Sequence, residues 1–569
     1  MPTFIAQRTN WLVPLIVLFV ISSLPVLGQT ITGTVYRDFN SDGKYTSIPS
    51  SGTYVYGEPG VSGVIVKAYN ASGVASASAT TNAGGSYTLT VGSSSQFRIE
   101  FTSLLTGDYE SFRGTGSATS VQFVNGGTSN VNLGVNYPVD YCQLDPLVIV
   151  PCYVNGNSTG TGSGTAVAAN RDVLISLPYS STGDSPTENP IALNSQLGTV
   201  YGVAYQREAK YIFTSAFLKR HSGLGPGGAG AIYLTKSSGT TYTHSVFATL
   251  PTAITAVTAA GSTTVASNTT RGLSTSAASA NYDPLIFDQV GKAGLGDMEL
   301  SDDGTELFVV NLGDRKLYRI PIVNPTSATP TPGTITSYTI PTPTQTSGSQ
   351  FRPFGLKYYR DRVYVGGVTT NEAVSTTVSF GVGSTSNTPL ITRDTTGMKA
   401  VVYEFNPANG SFTTVLTFPL TYKKGASDND QTGSSRADRW FPWVSVQPSY
   451  PNPTAGQLPN RYARNDLANA SHPQPWLTDI EIDVDGSMII ALRDRFGEQY
   501  GNQNYGTDAP STQLYRAIAP GDILRAGKCS PNVNQWTIES NAKLCNGVAT
   551  LGAGTNQGIG GENIIMPML

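Results

Sequence analysis

The stretch Asp297-Met298-Glu299-Leu300, which crosses Asp302-Asp303-Gly304 into Leu307-Phe308-Val309-Val310-Asn311, decides the fold of most of this chain. Two short β-prone runs flank an Asp-Gly turn, the arrangement of a hairpin. A third run, Lys316-Leu317-Tyr318-Arg319, follows. The same order recurs three more times. Gly202-Val203-Ala204-Tyr205 leads into Tyr211-Ile212-Phe213-Thr214-Ser215-Ala216 and then Ala231-Ile232-Tyr233-Leu234. Gly355-Leu356-Lys357-Tyr358 crosses Arg360-Asp361 into Val363-Tyr364-Val365-Gly366 and then Val401-Val402-Tyr403-Glu404. Asp479-Ile480-Glu481-Ile482 crosses Asp485-Gly486 into Met488-Ile489-Ile490-Ala491 and then Asp522-Ile523-Leu524-Arg525. Repeated units of three or four strands mark a β-propeller. A second sandwich is the competing reading, and the recurring third strand, with Tyr at its centre in three units, favours the propeller.

The spacing between units is irregular, so long insertions are required. Residues 325–349, rich in Pro and Thr, read as an extended solvated loop. Residues 423–475 carry Trp440 and Trp443 and lead into Trp476; in loops, aromatic faces suit sugar rings, while packing is the plainer explanation. Residues 242–288 have room for further blades. Residues 529–569 read as loop with no closing strand, so the ring closes through strands near Ile175 or the natural product continues beyond Leu569.

N-terminal to the repeats, residues 31–136 alternate with period two. Tyr87, Leu89 and Val91 point one way; Phe97, Ile99 and Phe101 alternate with Arg98 and Glu100; Val131, Leu133 and Val135 repeat the pattern. Half-buried strands with frequent turn signals predict an antiparallel sandwich. Early in this domain stands Asp38-Phe39-Asn40-Ser41-Asp42-Gly43. Side-chain oxygens at positions 1, 3 and 5 with Gly at 6 open a calcium loop, since hard oxygen ligands converge on one cation and Gly permits the sharp turn. Pro49, at position 12, cannot supply the closing carboxylate of an EF-hand; the next carboxylate is Glu58. The expected ligands are Asp38, Asn40, Asp42, Glu58 and the main-chain carbonyl of Lys44. An Asx/Gly turn is the plain alternative.

Residues Val35 to Gly43, then Gly57 to Val64, then Thr80 to Tyr87 and Phe97 to Phe101 follow one another in the order of a known family. The domain resembles the B domain of serine-aspartate repeat adhesins, related to the collagen-adhesin B repeat. The resemblance implies a calcium-stabilised Greek-key sandwich acting as a spacer on surface proteins. The segment between Gly43 and Gly57 is longer than the family's, and Asn82 replaces its usual acidic residue.

Residues 1–28 read as a signal peptide: Arg8 is the only charge, Trp11 to Leu27 is mostly apolar, and Gly28-Gln29 offers a cleavage site. A membrane anchor is the alternative. The remaining boundaries are a sandwich at 29–138, a linker at 139–170 and a propeller-like domain at 171–569. No later stretch is apolar enough to span a bilayer, so a secreted or cell-surface chain is expected. Charged residues are only 13% of the 569, and the net charge of −3 excludes a basic nucleic-acid surface. In an oxidising compartment Cys142–Cys152 and Cys529–Cys545 are the expected disulfides.

Catalytic signals are sparse. Gly156-Asn157-Ser158-Thr159-Gly160 fits a nucleophile elbow, yet the Thr-Gly-Ser-Gly after it cannot open a helix. Asp297 and Asp479 hold equivalent places, and strands that line a propeller axis would bring both to the channel. His221, Arg493 and Asp494 complete the candidate channel set; a structural ion-pair network through Arg493, Asp494 and Arg495 is the competing account. The expected function is a calcium-stabilised binding or adhesion-type protein, its partner an extracellular carbohydrate or surface protein. The alternative is a propeller enzyme acting on an extracellular carbohydrate.

Overall fold

The computed structural model describes residues 28–46, 58–141, 145–239, 241–251, 264–372, 395–422, 424, 439–447, 467–470, 472–483, 486–507, 514–517, 519–528, 534–540 and 544. The expected leader, Cys142, Cys529 and Cys545 lie outside them. Among the described residues no helix is long and apolar enough to cross a membrane.

The N-terminal sandwich is built from β1 (Gln29–Arg37), β2 (Ile65–Tyr69), β3 (Ala75–Thr80), β4 (Ser86–Val91), β5 (Gln96–Thr102), β6 (Tyr109–Glu110), β7 (Val121–Asn125) and β8 (Leu133–Asn136). One sheet has the order β4-β1-β8-β6 and the other β3-β2-β5-β7. The residues whose alternation predicted inward faces, from Tyr87 through Val135, are all buried in one core. One pairing departs from the antiparallel expectation: β1 and β8 run parallel, Val35 beside Leu133.

Strand structure resumes earlier than the sequence suggests. β9 (Leu147–Pro151), inside the expected linker, pairs with β10 (Asp172–Pro178), which pairs with β11 (Asn189–Leu193). The short α1 (Asn194–Leu197) leads into the first full blade, β12 (Val200–Gln206), β13 (Tyr211–Ala216), β14 (Ala231–Ser238) and β15 (Thr241–Thr249). The second comprises β16 (Leu295–Leu300), β17 (Glu306–Asn311) and β18 (Lys316–Val323), with β19 (Thr331–Pro332) and β20 (Thr336–Thr339) both pairing on β18. The third is β21 (Phe351–Tyr359), β22 (Arg362–Thr369), β23 (Lys399–Asn406) and β24 (Ser411–Pro419).

A small mixed sheet joins β25 (Leu467–Ala470) to two strands introduced below. The fourth full blade starts with β26 (Pro475–Ile482) and β27 (Met488–Asp494), followed by α2 (Arg495–Tyr500). Then come β28 (Asn502–Tyr505) and β29 (Leu514–Ala517), the partners of β25, and β30 (Asp522–Lys528) with β31 (Trp536–Ile538), which complete the blade in the order β26-β27-β30-β31. All four repeated units are therefore blades of a propeller. Two expectations change: residues 325–349 supply outer strands rather than loop alone, and the 529–569 span contains β31. Trp440, Trp443 and Trp476 are core residues with at most 1% exposure, in line with the packing reading. Within 242–288 the described residues form only β15 and a 3-10 turn, and Ile175 belongs to a separate three-stranded sheet.

The first strands of the four blades pack in succession, β12 on β16, β16 on β21 and β21 on β26. Each breaks register at the same level: Val200/Val203, Leu295/Met298, Pro353/Leu356 and Leu477/Asp479. A bulge bends a strand and increases its twist, which lets four strands converge on one axis. At this level Gly202 and Gly355 leave room for the next blade. A Cβ on Gly202 would sit 2.7 Å from Met298 N, and one on Gly355 2.8 Å from Asp479 N.

The sandwich docks on the end of this ring. The Arg37 guanidinium meets the Tyr359 hydroxyl and the Asp140 carboxylate, and Arg360 pairs with Asp108 at 3.3 Å while lying 5.1 Å over the Tyr137 ring.

Candidate functional site

The bulged strands place two layers of charge along the axis. In the first, Gly202, Asp297, Gly355 and Asp479 alternate around the ring, so two small residues make space for two carboxylates. Asp297 accepts from its own Met298 N–H at 2.9 Å and from Leu356 N–H of the next blade at 3.0 Å. Asp479 accepts from Ile480 N–H at 2.8 Å. Burial first, and then Asp479 and Glu299, hold the Asp297 carboxyl well above its usual range. Asp479 reaches solvent but is enclosed by protein, and is pushed up to about 6, chiefly by burial and then by Glu481.

Two residues further on, the layer reads Ala204, Glu299, Lys357, Glu481. Lys357 bonds Glu481 at 2.7 Å. Burial works against the Lys357 charge, but Glu299 and Glu481 outweigh it and hold the ammonium above its ordinary range. Glu299 is pushed up to about 7 by burial, with Glu481 and Asp479 adding to the rise and Lys357 opposing it. The expected pair Asp297 and Asp479 thus stands at one level of the inner strands, where Asp479 helps to raise the Asp297 carboxyl. Glu299, Lys357 and Glu481 were missed, although their common register, two residues past Asp297, Gly355 and Asp479, is legible in the repeats.

At the other end of the inner strands, Arg493 lies 5.4 Å from the Tyr201 ring centre and 5.9 Å from that of Tyr153. Its partner is Glu498, which also receives Lys219; Glu498 is 1% exposed. The carboxyl stays below its ordinary range because these two cations outweigh burial, the largest influence on it. The competing account names a network of Arg493, Asp494 and Arg495; Arg493 pairs with Glu498 rather than Asp494. Asp494 instead caps α2, accepting from Phe496 N–H at 2.9 Å and Gln474 N–H at 2.8 Å. Arg495 is fully buried and donates to the carbonyls of Val290, Val444 and Asp288 and to Gln474.

His221 is not brought to the channel carboxylates. It is 2% exposed, its N–H donates to Asp283 at 2.8 Å, and it lies against Gly501. Burial, with Arg220, Arg271 and Lys219 adding to it, keeps the imidazole neutral. Ser158 is likewise structural: its buried hydroxyl donates to the Leu224 carbonyl and accepts from Asn268 at 2.9 Å. Among the described residues Cys152 is a free thiol; its expected partner Cys142 and the Cys529–Cys545 pair lie outside them.

The sandwich loop is a different kind of acidic site. Carboxylate oxygens of Asp38, Asp42 and Glu58 lie within 4.8 Å of one another. The loop closes through side-chain acceptors: Asp38 takes the N–H of Asp42 at 3.1 Å and of Gly43 at 2.9 Å, Asn40 takes Asp42 N–H at 3.1 Å, and Asp42 takes Lys44 N–H at 2.8 Å. Ser111 donates to Asp38 at 2.6 Å, and Thr46 N–H to Glu58 Oε2 at 2.7 Å. Glu58 Oε1 is buried and has no partner. Burial, followed by Asp38 and Asp42, pushes the Glu58 carboxyl up to about 7. Three converging carboxylates with a bare buried oxygen fit a hard divalent cation.

No family model matches the chain. It is similar to Colossin-B of Dictyostelium discoideum, 27% identical over 552 residues, which cover 93% of this chain and 12% of Colossin-B. Colossin-A of the same organism is 24% identical over 529 residues, 90% of this chain and 4% of that one. The chain thus spans about an eighth or less of the length of these two curated relatives. Among solved structures, a protein from Lactobacillus plantarum aligns with 70% of this chain and 82% of its own, at 8% identity and a TM-score of 0.28.

Proposed function

We propose that this chain is a non-enzymatic binding unit of an exported protein, its sandwich a calcium-stabilised spacer of the serine-aspartate adhesin B type and its propeller the recognition domain. The observation that carries the reading is the loop at Asp38, Asp42 and Glu58, whose carboxylates converge while one buried oxygen stays unpartnered. Calcium, when bound, supplies positive charge there; Asp38, Asp42 and Glu58 would hold it, with Asn40 and the Lys44 carbonyl as further oxygen donors. The Arg37–Tyr359 and Arg360–Asp108 contacts support a spacer that orients its head rather than a free tether. The partner is an extracellular carbohydrate or surface protein.

A hydrolytic reading draws on one observation, the paired channel carboxyls Asp479 and Glu299 with elevated pKa. Against it, Asp297 and Asp479 already accept backbone N–H groups, and Lys357 neutralises the next layer. Screening the chain from residue 29 onward on a glycan array and a glycosidase and lactonase panel separates the two. Retention without turnover is expected; turnover that Glu299→Gln abolishes would establish the enzyme instead.

A further inference from the structure

A cavity of about 460 Å³ lies where the sandwich and its connector meet the ends of the inner strands. That volume is in the range of small-molecule sites. Its wall is unbalanced in charge: seven acidic side chains line it against three basic ones, Arg37, Arg207 and Lys357. The basic groups are already engaged. Arg37 pairs with Asp140 and Lys357 with Glu481, and Arg207 donates to the carbonyls of Pro138 and Tyr141 at 3.3 and 2.9 Å. Among the described residues Glu208, Asp302 and Asp303 form no ion pair. Asp302 contacts the Tyr137 hydroxyl and the Arg360 N–H, and Asp303 accepts from the Ser301 and Thr305 hydroxyls. Such neutral donors orient a carboxylate without cancelling its charge.

The rest of the wall is aromatic and apolar. The junction already seats cations on rings: the Arg37 guanidinium lies 4.4 Å from the Phe39 ring centre, and Arg360 5.1 Å from that of Tyr137. Tyr205 lines the same cavity with 46% of its surface exposed, and Val203 and Leu300 lie along it. A metal ion asks for oxygens converged on one point. Among the described residues only Asp38, Asp42 and Glu58, in the sandwich loop, bring three such ligand atoms within 4.8 Å of one another. The acids of the cavity are spread.

We propose that the junction cavity binds a linear organic polycation, a diamine or polyamine, its ammonium groups held by Glu208, Asp302 and Asp303 and its methylene stem by Tyr205, Val203 and Leu300. Walls of one sign concentrate the opposite charge between them. An ammonium beside a tyrosine ring gains a cation–π contact as well. Spread carboxylates suit charges separated along a chain, and the apolar lining suits the stem that separates them. Glu208 and Asp303 are exposed, so the fold stands without the ligand. This inference goes beyond the reading of the propeller as a recognition domain and does not depend on which macromolecule that domain holds.

The test is titration calorimetry on the chain from residue 29 onward, with calcium saturating, using spermidine, cadaverine, butylamine, glucose and glucuronate. Spermidine should bind one to one and more tightly than the single ammonium of butylamine, while glucose and glucuronate give no heat. Glu208→Gln with Asp302→Asn should weaken spermidine by about ten-fold, the loss expected for two solvent-exposed ion pairs. Tyr205→Ala should weaken it several-fold. Asp184→Asn, at an exposed acid that does not line the cavity, should change nothing. All variants should keep the calcium-dependent melting of the parent, so failure here leaves the spacer reading standing. No heat with spermidine, butylamine bound as tightly, or a loss that Asp184→Asn reproduces would overturn the proposal.

Discussion

The sandwich and the propeller each gather carboxylates, and they neutralise them in opposite ways. In the propeller the Glu498 and Glu299–Glu481 clusters bring their own positive charge, while burial raises Asp297 and Asp479 toward the neutral acid. Glu498 lies between Lys219 and Arg493, Lys357 stands between Glu299 and Glu481, and Asp297 takes two N–H groups. In the sandwich loop, Asp38, Asp42 and Glu58 converge with backbone N–H groups and one hydroxyl as donors, and Glu58 Oε1 has nothing. Backbone donors shape an acidic loop but carry no net charge. The first arrangement is complete within the chain; the second calls for a cation from outside.

The comparison breaks most visibly at Glu498. Replacing it with Ala strands Lys219 and Arg493 near the core, and leaving buried charges unpaired costs about 3–5 kcal/mol. Denaturant unfolding should show that loss equally in calcium and in chelator. A calcium-dependent loss would mean that the two regions are not separate. Lys357→Met is the milder version, expected to cost about 1 kcal/mol at pH 7.5 because Glu481 is largely exposed. At pH 5 the cost should shrink, since Glu299 and Asp479 are then mostly protonated.

The same carboxyls set a smaller, general pH effect. Glu299 rises from 4.5 to about 7 and Asp479 from 3.8 to about 6 on folding, so the folded chain holds protons that the unfolded chain has released. Their contribution is full below about pH 4 and is lost as pH climbs to about 7. Thermal melts of the propeller should therefore shift downward between pH 5 and pH 7.5, and Glu299→Gln should flatten part of that slope. A slope of opposite sign would mean that the channel carboxyls are not raised.

How much of this was legible depends on where each element faces. The first three strands of every full blade are buried and apolar around tight polar turns, so Leu307-Phe308-Val309-Val310 or Met488-Ile489-Ile490 announce themselves. The outermost strands do not. β15 and β20 are Thr- and Ser-rich and largely exposed, so they look like loop until pairing is seen. The three tryptophans read as loop aromatics because their insertion shows no period, yet they fill the core beside Phe354 and Phe217. Glu498 stands five residues from Arg493, but its Lys219 partner is 279 residues away, so their meeting needed the fold. The junction cavity is a product of docking alone, and no local pattern encodes it. By contrast, the carboxylate loop was readable almost whole, since Asp38, Asn40, Asp42 and Gly43 act within six residues; only the convergence of Glu58 needed the fold.

The central claim, that the sandwich loop is completed by calcium while the propeller is complete in itself, is tested most directly by differential scanning calorimetry in calcium and in chelator. Extracellular calcium modules bind at roughly 0.1–1 mM, and free calcium at ten times the dissociation constant adds about 1.4 kcal/mol. The sandwich transition of the chain from residue 29 onward should rise by several degrees in calcium with the propeller transition unmoved, and Asp38→Ala with Asp42→Ala should erase the rise. Identical thermograms in calcium and chelator, or a rise that survives the double substitution, would contradict the account.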